Sequence, residues 1–88
     1  MGTTPDPSDR CQLSWDYYGP NSAGTALHFK SHLEIWLKQH QFEDESLVLL
    51  EVHTTTHTAV HCQIGMVSGE VVYRILKAHR AVHIEEPN

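Results

Sequence analysis

Apolar and polar residues alternate from Gln12 to Tyr18, where Leu13, Trp15 and Tyr17 interleave with Gln12, Ser14 and Asp16. A period of two marks a strand with one buried face, so this segment predicts a strand whose core side carries the three large residues. Gly19, Pro20, Asn21 and Ser22 end it, and Asn21 or Ser22 supplies an oxygen able to cap a following helix. At about 100° per residue from Ala23 to His40, Ala26, Phe29, Leu33, Trp36, Leu37 and His40 gather on one stripe, and Lys30, Glu34 and Lys38 fall off it. This is an amphipathic helix packing one face on a core. Leu27 and Ile35 lie outside the stripe and read as surface apolar residues.

Glu43, Asp44 and Glu45 make an acidic loop, after which Ser46 to Thr54 reads as a strand that is apolar on nearly both faces. Val48, Leu50 and Val52 share one side; Leu47, Leu49, Glu51 and His53 share the other. Beyond Thr54, Thr55 and Thr56, the residues Thr58, Val60, Cys62, Ile64 and Met66 alternate with His57, Ala59, His61 and Gln63, and the β-branched density favours strand over helix. A hairpin at the threonines sets Leu50 opposite Val60, Val48 opposite Cys62 and His53 opposite His57. The turn lacks the Gly or Asn that short hairpins favour. Ser68 is placed to cap a second helix, Gly69 to His79, with Val71, Val72, Ile75, Leu76 and His79 on one side. Arg80 to Glu85 alternates again, and its pattern predicts Val82 and Ile84 towards the core, with Ala81, His83 and Glu85 facing away.

The order strand, helix, strand, strand, helix, strand is that of the ferredoxin-like split βαβ fold. The expected architecture is α+β: a four-stranded antiparallel sheet in the order 4-1-3-2, two helices on one face, and the other face open. One domain is expected over residues 11–86, behind a disordered tail over residues 1–10 that holds two prolines and no apolar residue after Met1.

Composition narrows the functional classes. With 40% apolar and 19% charged residues in 88, the chain is an ordinary globular one. Its net charge of −5 opposes a phosphate-tracking nucleic-acid binder, and Trp15 and Tyr17 belong by parity to the core, away from any base-stacking sheet face. No run reaches the length of a membrane span, and no apolar stretch follows a basic start, so no nucleic-acid or membrane partner and a cytoplasmic setting are expected. Cys11 and Cys62 form no CxxC pair and read as free thiols. A domain this short is marginal on its own core, which favours a homodimer through the open sheet face or an edge strand.

Eight histidines are the unusual count, enough to overturn the net charge if all were protonated. His40 and His79 fall in the last turns of the predicted helices, where an imidazole can bond free carbonyls. His28 and His32 stand four apart on the first helix and can approach one ion, yet two ligands fall short of the three that a catalytic zinc needs, and Phe29 occupies the place of the HExxH glutamate. The pair stays a weak candidate and no metal is assigned. His53, His57 and His61 share a face, but His57 and His61 are about 13 Å apart along one strand, too far for a common ion. With Asp16, Glu51 and His83 they make the candidate ligand or interface set on the open face. GxSxG, P-loop and GxGxxG motifs are absent, and Cys62 and His61 point to opposite faces, so no catalytic residue and no cofactor are assigned. The sequence therefore suggests a binding or regulatory domain acting through protein or small-ligand contacts. The alternative is a small enzyme or metal protein using the His-rich face.

Overall fold

The computed structural model describes residues 9–84. Strands β1 (Arg10–Tyr18), β2 (Leu47–Thr54), β3 (His57–Gly65) and β4 (Arg80–Ile84) form one antiparallel sheet, with helix α1 (Ser22–Gln39) after β1 and α2 (Met66–Leu76) after β3. The sheet order is β2-β3-β1-β4, and the fold is α+β of the ferredoxin-like type. Most of the expected tail, and Glu85, lie outside the described residues; Arg10 already belongs to β1.

The hydrophobic residues read from the period-two and helical patterns meet on one side of the sheet. Leu13 and Trp15 of β1, Val60, Cys62 and Ile64 of β3, Ala26, Leu33 and Leu37 of α1 and Val72 of α2 are buried together, with Phe29 and Trp36 packed against them. Trp15 holds two layers in place: its ring lies 4.9 Å from that of Phe29 on α1, and its indole N–H donates to the Leu76 carbonyl at the end of α2 (3.0 Å). The buried indole is thereby satisfied by a carbonyl that the helix end leaves free.

Both helices differ from expectation at their ends. Helix α2 starts at Met66, where the Met66 N–H donates to the Asp9 carbonyl (3.0 Å) and Ser68 caps nothing. It stops at Leu76 because Lys77 adopts a left-handed conformation, φ 53°, which breaks the helical bond pattern. His79 therefore does not finish the helix. Its backbone N–H donates to the Ser14 carbonyl (2.8 Å) and its Nδ1 accepts the Asp16 N–H (2.9 Å), so it sits beside β1, next to the start of β4. His40 does act at a helix end: its Nδ1 lies 2.9 Å from the Trp36 carbonyl and its ring stacks on Trp36. At the start of α1 neither Asn21 nor Ser22 caps by its side chain; the buried Ser22 hydroxyl turns to Thr58 instead (3.3 Å).

The hairpin register is as read for Leu50 with Val60 and Val48 with Cys62. It breaks at the turn, where Val52 pairs with Thr58 and Thr54 with His57, leaving His53 as an extra residue with no partner on β3. Thr55 and Thr56 keep negative φ, a turn whose twist fits a hairpin poorly. The bulge at His53 relieves that mismatch, and the Thr54 hydroxyl accepts the Thr56 N–H (3.2 Å).

Gly69 is required by close packing and not by its backbone angle. A Cβ there would lie 2.5 Å from Cys11 Sγ and 3.1 Å from Ile64 Cγ2, so α2 rests directly on the sheet. In an ordinary helix interior Gly→Ala gains up to about 1 kcal/mol. Here Gly69→Ala is expected to lose about 1–2 kcal/mol in urea denaturation, through overpacking, and Cys11→Ala in the same chain is expected to recover part of that loss. A Gly69→Ala variant more stable than the parent would contradict the packing.

Candidate functional site

The face of the sheet away from the helices is organised in rows across the strands. Residues directly opposite one another share a face, so the registers set Val82, Gln12, Gln63 and Leu47 in one row and Arg80, Ser14, His61 and Leu49 in the next. Asp16, Ala59 and Glu51 form the third row, and Tyr18 and His57 the fourth. Ala59 is fully buried although no helix covers it. Its small side chain is covered by the longer groups of its own and neighbouring rows.

Around Ala59 the polar groups link into two clusters. In the first, His61, itself buried, stands 2.9 Å by Nε2 from Glu51 Oε1, while its Nδ1 lies 2.7 Å from the Ser14 hydroxyl and 3.4 Å from the Gln12 amide nitrogen. Glu51 Oε1 is also 2.8 Å from His53 Nε2. The hydrogen bond from His61 holds the Glu51 carboxyl below its ordinary pKa, with charge from the nearby imidazoles and Arg80 adding to the effect and partial desolvation opposing it. In the second, Arg80 donates from Nε and Nη2 to the two oxygens of Asp16 (2.7 and 2.8 Å), a bidentate pair, and His57 Nε2 lies 2.9 Å from Asp16 Oδ1. The Arg80 hydrogen bonds pull the Asp16 pKa down to about 2, more than desolvation raises it, and His57 adds to the lowering. The His57 ring stacks on Tyr18 (4.4 Å) and on His53 (4.6 Å), which joins the clusters.

Five of the six sequence-predicted residues, Asp16, Glu51, His53, His57 and His61, thus share one connected surface. His83 does not. It pairs with Cys11, which puts it on the helix side, where Nε2 lies 3.8 Å from an Asp9 carboxylate oxygen. The expected facing of β4 was inverted because its apolar residues, Val82 and Ile84, lie on the uncovered face. Helix α2 packs over β1 and β3 and leaves beside β4 a cavity of about 350 Å³ lined by Cys11, Met66, Tyr73 and His83 among others, so no large core residue is demanded there. The same inversion brings in Arg80, which periodicity had passed over. Its signal in the sequence is charge: Asp16 is the one acid of β1, and Arg80 the one residue of β4 with a full opposite charge.

His28 and His32 lie with ring centroids 4.5 Å apart, both on the exposed side of α1 and remote in the sequence pattern from the sheet cluster. Cys11 and Cys62 are free and buried, and burial pushes the Cys62 thiol up to about 12. No described helix is long and apolar enough to cross a membrane. Searches of family models, curated proteins and solved structures found no match to this chain.

The lowered Asp16 pKa gives stability a defined acid dependence. Unfolded, the group titrates near 3.8, and folded near 2, so its contribution is complete above about pH 5 and disappears as the pH falls through the folded value. Asp16→Asn is expected to lose about 1–2 kcal/mol at pH 7, moderated by the half-exposed Arg80. In urea titrations the gap between parent and variant should close between about pH 4 and pH 2; a gap independent of pH would mean that the pair does not stabilise the fold.

Proposed function

We propose that this protein is a non-catalytic binding and regulatory module that works as a homodimer joined along β2. The observation that carries this reading is the state of β2, an eight-residue edge strand, LVLLEVHT, that is apolar towards both faces. Leu47 is 52% exposed, Leu49 39%, Leu50 36% and Val52 60%. A long apolar edge is a template for pairing, and edges that stay single are blunted by lysine, proline or shortness. β2 has neither lysine nor proline and is eight residues long, and its one bulge, at His53, lies near its end; the opposite edge, β4, is five residues long and begins with Arg80.

A second copy suits this edge because the strand is complementary to itself. Antiparallel pairing about a two-fold axis at Leu50 sets Leu50 against Leu50 and Val48 against Val52 on the helix side, so the apolar residues cover one another. The joined sheet would have eight strands, with two copies of the Asp16, Arg80, His57 and Glu51 surface on its open face. That surface, dense in paired donors and acceptors, is where a protein or small polar ligand would be read. A cytoplasmic setting belongs to the same proposal.

Light scattering coupled to size exclusion tests it at neutral pH. The full chain, of 10.0 kDa, is expected at twice that mass at protein concentrations of about 10–100 μM. Leu50→Lys and Val52→Lys, both at exposed positions, are expected to give a folded monomer with unchanged circular dichroism. A parent monomeric throughout that range, or Lys variants that remain dimeric, would reject β2 as the interface.

A further inference from the structure

Among the described residues, Glu51, His53 and His61 bring a carboxylate oxygen and two imidazole nitrogens within 4.8 Å of one another. We propose that these three side chains form a binding site for a divalent transition-metal ion, zinc in the first instance, with the remaining coordination positions open to water or a ligand. This does not rest on the dimer reading, since the site lies within one chain.

The sheet makes such a set naturally. Glu51 and His53 are two residues apart on one strand, so they project from the same face about 6.6 Å apart at the backbone. His61 comes from the neighbouring strand, opposite Leu49 and diagonal to Glu51. The bulge leaves His53 without a register partner on β3; its ring instead stacks on that of His57 (4.6 Å), which leaves Nε2 turned to Glu51. The donor set, two nitrogens and one oxygen, suits a borderline ion such as zinc, and three protein ligands with an open position is the arrangement of reactive zinc sites.

The present contacts are close to what an ion needs. Bonds of about 2.0–2.1 Å in a tetrahedral site place ligand atoms roughly 3.3 Å apart. Glu51 Oε1 stands 2.8 Å from His53 Nε2 and 2.9 Å from His61 Nε2, so those two separations open by about half an ångström, and the two imidazoles draw together. Glu51 and His53 are exposed enough to move, at 53% and 38%, while His61 is the fixed ligand.

What fixes His61 also fits the role. A ligating imidazole presents one nitrogen to the metal and is oriented by a hydrogen bond from the other. With Nε2 turned to Glu51, Nδ1 lies 2.7 Å from Ser14 Oγ. Without the ion, a proton on Nε2 bonds Glu51 and the Ser14 hydroxyl donates to Nδ1. With the ion on Nε2, the ring proton moves to Nδ1 and donates to Ser14 Oγ, which accepts equally well. Ser14 is thus a positioning residue able to serve both tautomers. The rival pair, His28 and His32, offers two rings on the exposed side of α1, and among the described residues no third donor is near enough to join a group of three.

Zinc titration of the full chain, carrying no histidine tag, tests the site by calorimetry and by ¹⁵N signals of the histidine rings. One zinc per chain with a dissociation constant in the micromolar range is expected, with His53 and His61 rings shifted and His61 converted to the Nδ1-protonated tautomer. His53→Gln and Glu51→Gln, at exposed positions, should each weaken binding at least tenfold; Ser14→Ala should weaken it about tenfold, and Ser14→Thr, which keeps the hydroxyl, should restore it. The double variant His28→Gln/His32→Gln should bind as the parent does. No saturable binding below about 1 mM zinc, or binding that survives His53→Gln and vanishes in the helix double variant, would overturn the proposal. A monomeric chain that still binds zinc at this site would reject the dimer and leave the metal site standing.

Discussion

A strand in the middle of this sheet must be buried on a side that no helix covers. Strand β3 lies between β1 and β2, and from Thr58 to Cys62 it is buried at every position, both parities included. On the helix side that burial is ordinary hydrophobic packing. On the other side it falls to Ala59 and His61, and an imidazole without partners in such a place would leave polar atoms desolvated. The neighbouring strands answer with side chains of matching reach: Ser14 and Gln12 from β1, Glu51 from β2. Among the described residues no buried side-chain nitrogen or oxygen lacks a hydrogen-bond partner. The cluster behind the proposed metal site is therefore also what buries the uncovered side of β3, with polar groups drawn from both neighbouring strands.

Periodicity made much of this legible. The alternation in Gln12–Tyr18 placed Leu13 and Trp15 in the core and Ser14 and Asp16 opposite, and the matching of apolar faces gave the register of Leu50 with Val60 and Val48 with Cys62. What escaped was set by interactions that periodicity does not carry. The facing of β4 depends on the cavity beside α2, which removes the demand for a large inward residue and lets Val82 face outwards. Helix α2 ends early because of one left-handed residue, Lys77, in a segment that continues the apolar stripe to His79. The grouping of Glu51 with His53 and His61 needs side-chain reach across strands, whereas histidine spacing alone directs attention to His57, whose partners are Asp16, Tyr18 and the ring of His53.

The paired charges lie at one edge of the sheet and most of its exposed apolar residues at the other. The β4 side ends in a bidentate pair that is anchored by a nearly buried carboxylate and screened only at Arg80. The β2 side carries exposed leucine and valine around a single acid. A domain of this size has little apolar area to spare, so leaving four large side chains partly wet on one strand lowers the stability of the isolated chain. Association along that strand and a cation bridging β2 to β3 would act in the same direction, because each adds contacts present only when β2 is docked.

The two buried cysteines give the folded chain a chemical silence that the unfolded chain lacks. Nucleophilic attack by sulfur requires the thiolate, and burial, which pushes the Cys62 thiol up to about 12, keeps that thiolate scarce at neutral pH. Alkylation or oxidation at Cys62 therefore has to wait until β3 leaves the core. Its rate is a clock for the opening of the central strand, set by the protein's own sequence without any introduced label.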